Sequence, residues 1–248
     1  MRLAVIADVH GNLLALEAVL ADIARQGVDA VVNLGDCLSG PLRPAEVADL
    51  LIARGIPTLR GNHDRQLLED APGAMGRSDA FAHARLTATH RAWLAALPPL
   101  MAPAGGVLAC HGTLGSDLTY ALEVLEGPDA LRRARPEEAA VRIGPTPGAT
   151  LILCAHSHLA RLTRLPDGRL ALNPGSVGCP GYVDDAPFPH KVEAGAPHAR
   201  YAIATLGPAG WSFDLRAVAY DWDAAAADAR AAGREEWAAA IATGWIGG

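Results

Sequence analysis

The sequence predicts an α/β protein built on parallel strands, and two patterns predict it. From residue 1 to 100, short apolar runs alternate with amphipathic stretches, and each apolar run stops at polar residues or glycine. Beyond residue 160 the pattern changes to paired runs joined by turn residues, which reads as antiparallel hairpins. The first run, "LAVIAD" (3–8), reads as a buried strand. Leu13, Leu16, Leu20 and Ile23 then recur at helical spacing, with Gly27 as the stop. "AVVNLGD" (30–36) is a second strand. Pro44 opens a helix through "AEVADLLIAR", and Gly55 closes it. "GIPTL" (55–59) is a third strand, which completes a right-handed βαβαβ pattern.

Residues 63–97 read as mostly helical, broken at "APGAMG" (71–76) and stopped by Pro98 and Pro99; the helical insert proper is placed at about 68–100. "GVLACHG" (106–112) and "ATLILCAHSH" (149–158) are two further buried strands, with "SDLTYALEVLEG" between them read as helix. "PDG" supplies a hairpin turn, and residues 198–220 read as another antiparallel pair around "GPAG". An Ala-rich helix follows from about Asp223, and its run "DWDAAAADARAAGREEW" reads as a solvated face. No linker or repeat interrupts the chain, so a single domain over 1–248 is expected, ending in a hairpin plus helix at about 198–243.

Composition narrows the function. Half of the 248 residues are hydrophobic and the net charge is -6, which argues against an extended nucleic-acid surface. Lys191 is the only lysine and no P-loop occurs. Cys37, Cys110, Cys154 and Cys179 form no CxxC pair and are expected to be free. The opening "MRLAVIADVHG" is too short an apolar stretch for a signal peptide and no segment reaches membrane-span length, so a cytoplasmic protein away from membranes is expected.

Chemistry collects where the apolar strands end. The first ends in Asp8 and His10, the second in Asp36, and the third in Asn62, His63 and Asp64. "VLAC" leads into His111, and "LILCA" into His156 and His158. Groups beyond the carboxyl ends of parallel strands converge on one crevice. Taken alone, Asp8 or Asp36 would be a turn former or helix cap and His111 a core histidine. Five strand ends in register make a common site the better reading. Asp8 and His10, like His156 and His158, sit two apart and project to one side of extended backbone. Seven candidate ligands exceed the needs of one ion and suit two, about 3.5–4 Å apart. Mixed imidazole and carboxylate donors favour Mn, with Fe, Zn, Co or Ni as alternatives, over Ca or Mg. Two divalent ions would outweigh the two carboxylates, leaving a positive site suited to a small anionic phosphoester.

The set "DVHGN", "GD", "GNHD", "CHG", "AHSH" and "NPGSVG" resembles the calcineurin-like metallophosphoesterase superfamily, from Asp8 to about Gly178. "GDCLSGPLRPAEV" and "NPGSVGCP" look most like its small bacterial and archaeal members, related to dinucleoside-tetraphosphate hydrolases and Ser/Thr phosphatases. The resemblance implies a four-layer αββα sandwich holding two metals. Asp8, His10 and His158 would bind the first ion and Asn62, His111 and His156 the second, with Asp36 bridging. His63 would contact the phosphoryl oxygens or protonate the leaving group, oriented by Asp64. The implied reaction is hydrolysis of a phosphodiester or nucleotide-type ester by metal-bound hydroxide. Two departures stand out: Ala155 replaces the Gly usual before the His-x-His pair, and Leu38 to Gly40 occupy the place of the protein-phosphatase arginine.

Outside those motifs, residues 68–100 and 179–198 are expected to wall the cleft. Tyr182 is a candidate to stack on a base, and His190 or Lys191 to meet a second phosphate. Two other readings are carried: a phosphoprotein phosphatase, and a catalytically silent metal-bearing scaffold that binds partners. Retention of His63 and every ligand disfavours the scaffold.

Overall fold

Strand β1 (Arg2–Ile6) is nearly all apolar because both of its faces are covered. It lies between β2 (Ala30–Asn33), parallel, and the later strand β12 (Ala199–Gly207), antiparallel. The connection from β1 to β2 is α1 (Leu13–Ile23), whose N-cap Asn12 accepts from the Ala15 N–H at 3.2 Å. Helix α2 (Pro44–Arg54) follows β2, with Pro at its first turn and Gly55 in the left-handed region (φ 57°) at its end. Residues 55–59 then make only one bridge to the sheet, Asn33 to Thr58, rather than the full third strand expected. Pro57 has no N–H for a ladder, and the segment turns away into α3 (Asn62–Glu69). The computed structural model describes residues 1–71 and 73–247; Pro72, within the expected break at 71–76, lies outside them.

Two short helices follow, α4 (Arg77–His83) and α5 (Ala88–Ala96), the latter capped by Thr87. His90 is buried there, with Nε2 on Asp49 at 2.9 Å, a packing role. A second sheet is built from β3 (Leu100–Ala104) and β4 (Val107–Cys110) onward. The stretch 116–127, expected as helix, instead runs irregularly into β5 (Glu123–Leu125), which pairs with β6 (Leu131–Arg133). Its Leu118, Leu122 and Leu125 do fall at helical intervals, but Gly127 and Pro128 close a hairpin that shares the cluster around Leu122 and Ala134. Helix α6 (Pro136–Ile143) leads to β7 (Leu151–Leu153), and β8 (Arg161–Arg164) and β9 (Leu170–Asn173) form the "PDG" hairpin. The second sheet has the order β3-β4-β7-β9-β8, with β4, β7 and β9 parallel.

Residues 179–198 contain a small hairpin, β10 (Gly181–Asp184) and β11 (His190–Glu193). The expected pair at 198–220 is β12 (Ala199–Gly207) and β13 (Gly210–Val218), completing the first sheet as β13-β12-β1-β2. The C-terminal helix is two helices, α7 (Trp222–Ala231) and α8 (Glu235–Thr243), divided at Gly233 (φ 72°). Nor is its alanine run a solvated face. Ala225, Ala226, Ala229 and Ala238 are buried with Leu42 and Ile241, since alanine lets the two helices approach closely.

Three apolar clusters set the layers. Leu3, Val5, Val32 and Leu34 meet Val107, Leu151, Leu153 and Leu172 between the two sheets. Ala4 and Ile6, on the opposite face of β1, pack on α1, α2 and the helices after α3. Ile152 and Ala171 pack outward against Ala139 and Ile143 of α6. Helix, sheet, sheet, helix is the four-layer arrangement expected. All four cysteines are buried and free. Among the described residues, no helix is long and apolar enough to cross a membrane.

Candidate metal centre

Parallel β1 and β2 end at the same edge, and the loops that follow are tied through the backbone. Asp8 N donates to Gly35 O at 2.9 Å, His10 N to Asp36 O at 3.0 Å and Gly11 N to Cys37 O at 3.0 Å. The second sheet joins them through "NPGSVG". Ser176 Oγ donates to Asp8 O at 2.8 Å, and Asn173 Nδ2 to Ala155 O at 2.9 Å and Ser157 Oγ at 3.1 Å. Gly178 passes so close to Val9 O that no Cβ fits, which explains that glycine. Asp8, His10, Asp36, His156 and His158 all have φ between 50° and 69°, the left-handed region that non-glycine residues rarely adopt. Holding each there costs about 1–3 kcal/mol, and such strain concentrates at functional sites.

The strained loops bring two groups of side chains together: Asp8, His10 and His158; and Asp36, His111 and His156. Within each group the donor atoms lie inside 4.8 Å of one another, and all six residues are buried. Carbonyl oxygens can only accept, so each imidazole that touches one must donate to it. His10 Nδ1 donates to Ser39 O, His158 Nδ1 to Cys179 O and His111 Nδ1 to Leu34 O, each at 2.7 Å. All three therefore turn Nε2 inward as a candidate ligand. Burial pushes the pKa of His10 down to about 4 and that of His158 well below its ordinary value, so both are neutral at pH 7. Their Nε2 lone pairs then face each other at 3.2 Å with no proton between them.

The carboxylates give the same indication. Both oxygens of Asp8 are buried without a hydrogen-bond partner among the described residues. Burial raises its pKa well above the usual carboxylate range. Asp36 is equally buried, but the positive charges of His111 and His63 hold its pKa well down. His111 Nε2 is 3.1 Å from Asp36 Oδ2, and although burial opposes it, the pull of Asp36 raises the imidazole to about 10. The Asn62 amide completes this second group. Its inward atom lies 3.1 Å from His111 Nε2, 3.0 Å from His156 Nδ1 and 3.2 Å from Asp36 Oδ2. A cation at that position would draw the amide oxygen. An orphaned buried carboxylate and opposed imidazole lone pairs are what a cation satisfies, so the residues fit divalent metal binding.

A family model for the calcineurin-like phosphoesterase superfamily domain matches residues 1–187. The chain belongs to that superfamily. That family is one of phosphoesterases that use divalent metals. It is similar to a metallophosphoesterase from Sphaerobacter thermophilus, at 25% identity over 99% of both chains with a TM-score of 0.73. A hypothetical protein from Pyrococcus horikoshii OT3 has the same fold, at 18% identity, 99% of both chains and a TM-score of 0.72. An uncharacterized protein from Methanocaldococcus jannaschii is 39% identical over 66 residues, a match spanning 27% of this chain and 27% of that relative's length.

Of the candidate metal ligands, His10, Asp36, Asn62, His156 and His158 form the floor of a cavity of about 550 Å³, with Asp8 and His111 packed beneath them. His63 stands beside them, one-third exposed, with its ring 5.6 Å from that of His10. The partner that fixes it is Asp79 of α4, whose Oδ1 is 2.9 Å from His63 Nδ1, leaving Nε2 towards the cavity. Burial lowers the His63 pKa, but Asp36 and Asp79 outweigh it and raise the imidazole to about 9. Asp64 does not make the contact expected of it. As the third residue of α3 its carboxylate points back along the helix start and accepts the N–H groups of Asp36, Cys37 and Gly61 at 2.8–3.0 Å. It thereby clamps the β2 loop to α3.

The wall also differs from expectation. Tyr182 does line the cavity, with its ring edge-on to His158 at 4.6 Å and its hydroxyl bonded to Tyr120 and His156 O. His190 is buried behind Tyr120, 2.8 Å from that hydroxyl, and Lys191 is exposed on the far side of β11, so neither lines the cavity. Among the described residues of the insert at 68–100, only Ser78 lines it. Cys179, Gly181, Val183, Asp184 and Ala186, within the expected 179–198 wall, also line it, and the end of the chain adds Arg234, Glu236, Trp237 and Ile246. Sequence reasoning missed these last four and Asp79, because no spacing or strand end singles them out.

Proposed function

We infer that the chain is a dinuclear phosphoesterase acting on a small phosphodiester or nucleotide-type ester, with manganese as the preferred metal. One observation carries this reading: Asp8, buried with both carboxylate oxygens unpartnered, faces two neutral imidazoles whose lone pairs point at each other. Asp8, His10 and His158 would hold one ion, and Asn62, His111 and His156 the other, with Asp36 between them. Bound there, two divalent ions would supply Lewis-acid stabilisation of the phosphoryl charge and an acidified water. The chain's own residues do the rest. Asp36 is kept ionised by its imidazole neighbours, so it remains a ligand at neutral pH. His63, fixed by Asp79, presents Nε2 to the phosphoryl group and can pass a proton to the departing oxygen. Tyr120 and Tyr182 brace the ligand loop, Tyr120 with its ring 5.0 Å from that of His156.

Walls on two sides of the cavity favour small substrates over a phosphoprotein. The β10–β11 hairpin and α8 both line the cavity, where an extended peptide would need an open groove. The test is to load the protein with Mn and assay bis-p-nitrophenyl phosphate, p-nitrophenyl phosphate, a nucleotide panel and phosphopeptides. Higher kcat/KM on diesters or nucleotides is expected. A clear preference for phosphopeptides would overturn the substrate class, and no turnover with metal bound would favour the silent scaffold.

A further inference from the structure

Among the described residues that line the cavity, Arg234 alone carries a guanidinium or ammonium group. It stands at the start of α8, outside residues 1–187 where the superfamily model matches. Its side chain is only 10% exposed, which is costly for a cation unless its donors are matched. The match within the chain is partial. Nε donates to Glu236 Oε1 at 2.5 Å and Nη1 to Ser78 Oγ at 3.2 Å, while Nη2 has no hydrogen-bond partner among the described residues.

The two acids of this wall leave the Nη2 edge open. Glu236 is shared with a second guanidinium, that of Arg77 at 3.8 Å. Asp184 spends one oxygen on the Ala186 N–H at 3.0 Å, capping a turn. The guanidinium is also held in place. Arg77 Nη2 donates to Gly233 O at 3.2 Å, at one end of α8. At the other end Gly195 N donates to Gly244 O at 3.0 Å and Ile246 N to Glu193 Oε1 at 2.8 Å. A fixed, largely desolvated guanidinium with a free N–H edge matches an oxyanion geometrically and electrostatically.

We propose that Arg234 is a specificity residue that binds a second anionic group, phosphate or carboxylate, on the part of the substrate remote from the reacting phosphorus. This rests on the phosphoesterase reading above and adds to it what the substrate must carry. The test uses p-nitrophenyl alkyl phosphodiesters of equal length ending in methyl, carboxylate, phosphonate or trimethylammonium. The wild-type enzyme should favour the anionic tails over methyl by about 10–100-fold in kcat/KM, mostly through KM, the usual worth of a hydrogen bond to a charged group. The better of the two anionic tails identifies the group recognised. Arg234→Met should bring that ratio close to one, and Arg234→Lys should keep part of it. A purely structural role would instead lower all four tails together, leaving the ratio intact. An intact ratio in Arg234→Met, no anion preference in the wild type, or preference for trimethylammonium overturns the proposal while the phosphoesterase reading stands. If all four diesters are inert with metal bound, the phosphoesterase reading itself fails.

Discussion

In and just beneath the floor of the cavity, Asp8, His10, Asp36, His156 and His158 each follow a strand and take left-handed backbone, and the loops carrying them are fixed by main-chain hydrogen bonds. On the wall, Tyr182, Arg234 and Trp237 sit on a hairpin and a helix in ordinary conformations, and side-chain contacts hold them. The floor is geometrically over-determined, as a metal site must be, whereas the wall can change by substitution without disturbing it. Chemistry common to a superfamily fits the first construction, and choice of substrate fits the second.

The largest expected break is on the floor. Asp36→Ala removes the carboxylate placed between the ions, so activity should fall by about 10³-fold or more together with metal affinity, with partial rescue by excess Mn. Activity assays beside elemental analysis check both. His63→Gln should lower kcat by about 10²–10⁴-fold and leave metal content unchanged, because the ring is aimed at substrate. The loss should shrink for good leaving groups.

Two aspartates sharpen the contrast between orientation and framework. Asp79→Asn should reduce kcat less than His63→Gln, with the same dependence on leaving group, and leave thermal stability near wild type. Asp64→Asn should instead destabilise by about 1–3 kcal/mol, since three buried N–H groups lose a charged acceptor. Denaturation and kinetics on the same two variants separate these outcomes.

The smallest effect on catalysis should come from Asp22, far from the cavity. Burial pushes its pKa up, but hydrogen bonds from Tyr201, Arg216 and Arg25 more than offset this and hold it below the ordinary 3.8. A depressed carboxylate contributes stability above its unfolded pKa and loses it as pH falls through the lower folded value. Asp22→Asn should therefore lower stability at pH 7 without changing kcat, and the difference should narrow as pH falls below about 3.8. Urea titrations across pH measure this.

The same division governs what could be read from sequence. The seven candidate ligands could be grouped from sequence because a strand end is a positional signal, and five expected strand ends carry metal-binding residue types. The parallel order of β1 and β2 followed from their apolar runs and the helix between them. Asp79 was not legible, because its relation to His63 depends on how α4 packs across α3. Asp64, the sequence neighbour of His63, was the natural guess, and the start of a helix turned it away. The part of the wall that comes from the chain's last helices was hidden for a related reason. The alanine run before Arg234 looks solvated until α7 and α8 bury it together, and that packing delivers Arg234 and Trp237 to the cavity. At 116–127 helical spacing misled, because the hairpin turn at Gly127 decides the local structure.

The central claim is that the floor holds two ions, and metal stoichiometry tests it most directly. Protein stripped with chelator, reconstituted with Mn and freed of excess should carry two ions per chain by elemental analysis. Asp8→Asn and Asn62→Ala, one in each group, should each reduce the count. A single ion in the wild type at saturating Mn, or none, would contradict the account.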